Sequence, residues 1–556
     1  MMMKNTKPGD TTSIDHKDAD GSNFNAPTSD EQARLKRLIG RRHPKYESSS
    51  GHWKFLQNTY AGGREWFAEH VFRYIKEGDN EFKDRVARAY RFNHSREVVD
   101  LINKYLFKQN ISRSEDAPDC VKRFWEKATK SGLSGKDLAR QISKKTSMVG
   151  RIGIVIDNAA PAGVVLSKAE EKEKNIRTYA YIVGPEQLLD YSFDDDGALN
   201  WALIREDVRD DADPFTSSGD ESNQFRLWTK NDWYLYEEVT EGRKKVIKLI
   251  GEGEHKLGEV PVILADNIIT DEEYSASALI DDIAYLDRAV ANYLSNLDAI
   301  IQDQTFSQLA MPAQNVIPGE DSYTKLVEMG TKRVFLYDGE GGGVPFYLSP
   351  DVKQAELIIT AINKIIGEIY HTVGLAGERT KQDNAVGIDN SSGVAKAYDF
   401  ERVNALLAAK ADSLEAIENK MSRLVMLWNG EVPHETDRLI SYPDNFDTRG
   451  LYDEFDIAAR LMLIDAPDTV RQEQMKTMLD KLFPQLTKEL RKKMESELKD
   501  WPVDPIEMAT QLAQVNGGDP SSSQSVKNGN TPTPAGGEGK KPVKDKKQGQ
   551  VTKETE

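Results

Sequence analysis

A chain of 556 residues is long enough to bury substantial cores and to divide into several domains. Its 74 Lys and Arg stand against 91 Asp and Glu, a net charge of −17, which argues against a protein that coats nucleic acid through a basic surface. The single cysteine, Cys120, excludes a disulfide framework and a cysteine-built zinc site, and no apolar run is long enough to span a membrane.

The lone cysteine suits a reducing cytoplasm, and the opening MMMKNTKPGD has no apolar core of a signal peptide. Residues 1–30 are polar and cannot bury enough to offset their ordering entropy, so disorder is expected there. Arg34–Tyr46 (RLKRLIGRRHPKY) is a basic cluster. It reads either as a contact for phosphate or an acidic partner or, more simply, as the exposed end of an amphipathic helix.

From Trp53 to Lys130 the pattern is helical and rich in aromatics. Val98, Val99, Leu101, Ile102, Tyr105 and Leu106 form one helix face, and further helices are predicted over Cys120–Lys130 and Gly135–Thr146. At Val149–Asp157 the pattern turns to short β-branched strands. Asp195–Asp196–Gly197 and Asn231–Asp232 are hairpin turn signals, and KKVIKLIGEGEHKLGEVPVI reads as a further hairpin. The acid-rich RDDADPFTSSGDESNQ is predicted to be a surface loop.

Tyr274–Gln308 is predicted to be one helix, with a heptad seam of Leu279, Ile283, Leu286, Val290, Tyr293, Leu297 and Ile300. Asp281, Asp282, Asp287, Asp298 and Asp303 lie off that seam, and Pro312 ends the run. A second helix, Pro350–Val373, has Ser349 as cap, Pro350 at its first position and an apolar face of Ile358, Ile362, Ile365 and Ile369. Gly374 stops it. The insert between them reads as a small α/β module with strands near Arg333–Tyr337 and Val344–Tyr347.

A polar loop, Ala376–Ser392, then leads into a helix over Gly393–Asn429, about 55 Å long at 1.5 Å per residue and closed by Gly430. After a loop segment, Val432–Thr448, helices are predicted over Leu451–Leu463, Thr469–Leu482, Leu486–Lys499 and Pro505–Val515. From Asn516 the composition collapses to a disordered Gly, Pro, Ser, Lys and Thr tail.

Chemistry-bearing motifs are missing from this pattern. The eight histidines show no metal-ligand spacing, no GxSxG elbow occurs, and Gly339–Pro345 lacks the Lys-Ser/Thr of a phosphate-gripping loop. Asp194–Asp196 and Asp210–Asp213 lack the ordered alternation of a calcium loop. No metal, cofactor or catalytic residue is assigned.

The order and lengths of these elements over roughly residues 50–510 resemble the portal proteins of tailed bacteriophages. RFNHSREVVDLINKYLF looks like the early helix of the family's wing. YAYIVGPEQLLDYSFDDDGALNWALIRED, FRLWTKNDWYLYE and HKLGEVPVI look like its β-rich part. The helices around Pro312–Leu348 are similar to the stem pair flanking a clip, and LAGERTKQDNAVGIDNSSGVAKAYDFERV is similar to a tunnel loop entering the long wing helix. The resemblance implies a mainly α protein with a β-rich part (α+β), built as wing, stem, clip and crown and assembled as a ring.

The implied divisions are a disordered segment 1–30, helical wing 31–148, β-rich wing 149–270, stem helix 271–311, clip 312–349 and second stem helix 350–375. A tunnel loop 376–392, a long wing helix with its connection 393–450, a helical crown 451–515 and a disordered tail 516–556 follow. The resemblance further implies a homo-oligomeric ring, typically a dodecamer, at the portal vertex of a virion capsid assembled in the bacterial host cytoplasm. Its partners would be the terminase large subunit, the major capsid and scaffolding proteins and a head-completion or tail adaptor protein. Double-stranded DNA would pass through without sequence specificity, and no membrane or catalysis would be involved.

On this reading the tunnel loop offers Arg379, Thr380, Lys381, Gln382 and Asn384 to DNA. Asp281, Asp282, Asp287, Asp298 and Asp303 become candidates for an acidic channel wall, and Tyr323, Lys325, Lys332 and Arg333 for clip docking. Basic channels grip DNA through phosphate neutralisation, so an acidic bore would let it slide. Two other readings stay open: a metal-dependent hydrolase or nuclease with acidic ligands, and a coiled-coil virion scaffold or connector with no DNA channel.

Overall fold

The computed structural model describes residues 29–75, 77–158, 177–241, 243–305, 308–312, 334–337, 343–348, 352–375, 393–434, 438–443, 446, 458, 461, 467–482 and 488–499. They fall into two units, Met1–Asp447 and Thr448–Glu556.

The first unit begins with helices α1 (Ser29–Ile39), α2 (Tyr46–Ala61), α3 (Arg64–His70), α4 (Asp79–Arg88), α5 (His94–Leu106), α6 (Asp119–Glu126) and α7 (Gly135–Val149). The amphipathic face read from the sequence is the buried side of α5, where Val98, Val99, Ile102 and Leu106 lose all solvent contact. The α5 cap is Asn93, in the left-handed region at φ 45°, whose side chain accepts from the Arg96 amide. The basic cluster is the end of α1 and the turn after it. Arg41 pairs with Asp190 at 3.0 Å and lies over the Trp201 ring.

Two antiparallel sheets follow. Strands β2 (Arg151–Asn158), β3 (Thr178–Val183) and β9 (Val262–Asp266) pair in the order β3-β2-β9. Strands β4 (Leu188–Phe193), β5 (Leu199–Arg209), β6 (Glu221–Thr229), β7 (Asp232–Glu241) and β8 (Lys244–Glu254) form a consecutive meander. Both predicted hairpin turns fall between paired strands, with Gly197 at φ 78° in the first. The predicted hairpin over residues 244–263 does not form. Instead β8 pairs with β7 and β9 crosses to β2, because the apolar Val262–Ala265 stretch completes the buried three-stranded sheet.

Period-2 alternation gives the meander two apolar faces. Leu189, Leu203, Phe225, Tyr236 and Ile247 pack under α1, while Ala202, Ile204, Trp228 and Leu235 join the main core. The side chain of Gln32 on α1 donates to the Ile247 carbonyl at 2.8 Å and accepts from its amide at 3.1 Å, satisfying a residue of the last strand.

Two long helices come next, α8 (Ile283–Thr305) and α9 (Val352–Thr372), packed against each other. The predicted first helix was too long at both ends. Tyr274 and Ile280 are buried in non-helical chain, and Gln308–Pro312 is strand β10, the centre of a small sheet with β11 (Val334–Tyr337) and β12 (Phe346–Leu348). The pairing of β10 is parallel to β11 and antiparallel to β12, which gives those residues a ladder that a longer helix would lack. The predicted cap Ser349 and Pro350 lie outside the described residues, as do the remaining parts of the insert.

Helix α10 (Gly393–Trp428) has 36 residues, about 54 Å, and ends at Gly430 with φ 72°. Its stripe Val403, Leu407, Leu414, Ile417, Met421 and Leu424 is buried. Polar anchors repeat along it: Ser413 Oγ donates to the Asp266 carbonyl at 2.7 Å, and Trp428 Nε1 to the Ile156 carbonyl at 3.0 Å. The segment after it, predicted as loop, contributes β13 (Ile440–Ser441), paired with β1 (Ser112–Arg113).

In the second unit, α11 (Asp468–Leu482) packs on α12 (Lys488–Lys499). These correspond to two of the predicted helices. The predicted Pro505–Val515 helix and the tail lie outside the described residues, as do nearly all of Leu451–Leu463 and residues 1–28.

Candidate conduit and docking elements

Both helices of the α8–α9 pair are tied to the start of α5. Ser95, at the start of α5, donates to Asp287 Oδ2 of α8 from its amide at 3.0 Å and its hydroxyl at 2.8 Å. Tyr370 of α9 donates to Glu97 at 2.5 Å and lies 3.1 Å from His94 Nδ1. Asp287 is fully buried, with Arg91 Nη1 3.8 Å away from an equally enclosed side chain. Burial pulls the Arg91 guanidinium below its ordinary pKa, against the attraction of Asp287.

This removes Asp287 from the set of channel-wall candidates, since a carboxylate with no exposure in the subunit faces no bore. The sequence seam was displaced by one residue there. The buried stripe of α8 runs Ile283, Asp287, Val290, Leu294, whereas the predicted Tyr293 is exposed. A polar residue on an apolar stripe is easily passed over by periodicity alone.

Other aspartates are also engaged. Asp281 accepts from the Ala278 amide at 2.8 Å and meets His52 Nε2 at 2.9 Å, so it caps the turn that precedes α8. Asp298 pairs with Arg88 of α4 at 3.2 Å. Asp282 faces solvent, and the side chain of Asp303 lies outside the described residues.

At the far end of the pair sits the β11-β10-β12 sheet. Val344, Phe346 and Tyr347 are exposed on it, and Tyr337 Oη donates to the Val344 carbonyl at 2.8 Å. The clip candidates Tyr323, Lys325, Lys332 and Arg333 lie outside the described residues.

At the near end, Gly374 takes φ 74°, and a Cβ built there would come within 3.1 Å of Arg402 Cβ and 3.3 Å of Val403. The chain therefore leaves α9 against the third turn of α10, with Leu375 and Val403 both buried. Arg379, Thr380, Lys381, Gln382 and Asn384, which the sequence places between these two points, lie outside the described residues.

The acidic runs that kept a metal enzyme open are occupied by local structure. Asp194 accepts from the Asp196 and Ala198 amides and from Lys230 Nζ, which hold it below the usual carboxylate range. Asp213 accepts from the Phe215 amide and Thr216 hydroxyl, and Asp210 from Ser218. Among the described residues no three His, Cys, Asp or Glu side chains converge as a metal site.

A cleft of about 660 Å³ opens between α7 and strands β3 and β5. Its polar groups satisfy one another: Arg226 grips Glu206 at 2.6 and 3.2 Å, and Tyr179 Oη donates to Asp157 at 2.9 Å. Burial pushes the Asp157 carboxyl up, against the pull of Arg226, and neither histidine nor cysteine lines the cleft.

The sequence reading missed the buried polar groups of α10. Lys410 donates to Ser147 Oγ at 2.9 Å and to Asn267 Oδ1, while Glu418 accepts from Arg113 at 2.7 Å and from Tyr442 at 2.5 Å. A signal was present: the apolar stripe Val403, Leu407, Leu414, Ile417 has Lys410 at its missing heptad position.

Together these features define an α+β fold organised on a helical hairpin and a long anchored helix. Residues 52–432 match the family described as phage portal protein, SPP1 Gp6-like, and the chain belongs to that family. Among solved structures, a chain in the neck of an empty GTA particle computed with C6 symmetry is 11% identical at a TM-score of 0.33, covering 67% of this chain and 90% of that one. A chain from the virion of a native gene transfer agent particle is 12% identical at a TM-score of 0.36, covering 78% of this chain and 98% of that one. Comparison with curated proteins gives no match.

Proposed function

We propose that the chain is the repeating subunit of a portal ring at one vertex of a virion capsid, a channel for double-stranded DNA on packaging and ejection. The observation that carries this reading is the packed α8–α9 hairpin, tethered at Asp287 and Tyr370 and tipped by the β10–β12 sheet, within a chain of the portal family. In it α8 and α9 are the stem and the small sheet belongs to the clip that docks the terminase and later the head-completion or tail proteins. Helix α10 is the beam in the wing, and the second unit forms the crown.

The acidic balance of the chain, a net charge of −17, fits a conduit that does not hold its cargo, because tight binding needs a net basic surface to displace counterions from the phosphates. Of the aspartates with described side chains, Asp282 is the exposed one and the strongest candidate for the bore. Residues 376–392 enter the channel in this reading, with Arg379 and Lys381 as transient phosphate contacts.

Negative-stain microscopy of the purified chain tests the proposal. Ring-shaped particles with a central hole are expected. Uniform small globules at micromolar concentration would overturn it, and dimers or trimers would favour a coiled-coil scaffold.

A further inference from the structure

The hairpin of β5 and β6 carries unlike features at its two ends. At one end, where Trp201 pairs with Thr229, a cleft of about 630 Å³ opens between the meander and the end of α1. Leu38, Trp201 and Leu227 supply its apolar surface, and Arg41 lies over the Trp201 ring. Of the charged residues lining it, Arg41 and Lys230 are basic and Asp232 is acidic. Exposed Arg34, one turn before Leu38, and exposed Arg37 extend the basic border along α1.

Beyond Arg209 and Glu221, at the other end, the chain forms a braced apex. Asp213 accepts from the Phe215 amide at 3.0 Å and the Thr216 hydroxyl at 2.8 Å. Asp210 accepts from the Ser218 amide at 2.9 Å, and its carbonyl accepts from the Gly219 amide at 2.9 Å. These bonds fix a loop in which Phe215 is 94% exposed. Asp207, Asp210, Asp211, Asp213, Asp220 and Glu221 surround it, and Arg209 is the one base from residue 207 to 221.

Register between β5 and β6 is unbroken from Trp201–Thr229 to Arg209–Glu221. At about 3.4 Å per residue the two pairs stand about 27 Å apart on one paired hairpin, so Phe215 cannot reach the cleft of its own chain. An occupant of that shape has to come from another molecule, and a second copy brings the matching chemistry. The apex is acidic around an aromatic ring, and the cleft is apolar with an arginine border on α1. Opposite charge steers such surfaces together, and a buried aromatic side chain supplies the anchor.

We propose that the Phe215 apex of one copy seats in the cleft between α1 and the meander of the next. The ring packs on Leu38, Trp201 and Leu227, and the surrounding carboxylates face Arg34 and Arg37. Tip and socket at opposite ends of one hairpin make a heterologous contact, which closes into a ring where its rotation closes. The inference rests on the ring reading above and assigns one contact that joins its subunits.

A double variant, Phe215→Cys with Asn231→Cys on the rim of the cleft, tests it under mild oxidation. Both positions are exposed, and the natural Cys120 is buried. Rings of the double variant should yield a ladder of disulfide-linked chains on a denaturing gel without reductant, and neither single variant should. Phe215→Ser, which touches no core residue, should fold normally by circular dichroism and lose at least roughly tenfold in assembly affinity by native mass spectrometry. Rings without a ladder, or Phe215→Ser rings at wild-type concentrations, would overturn the contact and leave the ring reading standing. An unmodified chain that stays monomeric would overturn the ring reading itself.

Discussion

Lys410, in the middle of the long helix α10, places its Nζ 2.9 Å from Ser147 Oγ near the end of α7. The ammonium is completely enclosed, and burial lowers its pKa from 10.5 to about 7. The unfolded chain therefore holds a proton that the folded chain has released between about pH 7 and pH 10.5. Stability must rise with pH across that window, at a slope approaching about 1.4 kcal/mol per pH unit from this group. Below about pH 7 both states are charged and the slope vanishes. Denaturant titrations at several pH values should show the rise in the unmodified protein and its loss in Lys410→Met, the difference between the two isolating this side chain. Parallel pH profiles would show that Lys410 keeps its charge when folded.

That lysine also shows where the sequence was readable and where it was not. Apolar periodicity and glycine stops placed α7, α9 and α10 within a few residues and picked the buried face of α5, because both signals act locally. The hairpins turning at Asp195–Gly197 and Asn231–Asp232 were legible for the same reason, since turn residues between alternating strands are also a local signal. Pairings set by distant chain were not. Val262–Asp266 gave up a local hairpin for β2, and Gln308–Pro312 gave up a helix for the small sheet. Buried Asp287 was read as surface and Lys410 drew no reading, since only their partners on other elements reveal the compensation.

Asp287 carries the second prediction. Its carboxylate, shared by the Ser95 amide and hydroxyl and facing Arg91, cannot be removed without stranding a buried guanidinium. Asp287→Ala should cost about 3–5 kcal/mol by urea unfolding. The exposed Asp282→Ala should stay within about 0.5 kcal/mol. Equal effects of the two would mean that Asp287 is solvated and would return it to the list of bore-facing acids.

A third prediction concerns Gly150, between α7 and β2, with φ at +83°. A Cβ there would fall 1.8 Å from the Ala276 carbonyl oxygen, so the backbone before α8 must shift to admit it. Gly150→Ala should cost about 1–3 kcal/mol through backbone strain alone, and more through the clash. Thermal unfolding measures the loss, and Gly197→Ala is the control. Gly197 has the same sign of φ, 78°, with nothing within 4 Å of its added Cβ, and should lose only the strain.

The last prediction separates the channel role proposed for residues 376–392 from service as a plain connection. Gly374 abuts α10 at Arg402 and Val403, so both ends of this segment are fixed by packing that its own side chains do not provide. Replacing residues 378–384 by Gly and Ser should leave folding and ring assembly unchanged, because the anchors Leu375 and Val403 stay in place. It removes Arg379 and Lys381 together with Glu378 and Asp383, so net charge is unaltered and any effect belongs to local contacts rather than to the global field. Packaging or retention of DNA should fall by roughly tenfold or more if those cations touch phosphates in passing. An Arg379→Ala, Lys381→Ala double variant should reproduce most of that loss. Normal packaging by rings carrying the full replacement would reduce the segment to an ordinary helix connection.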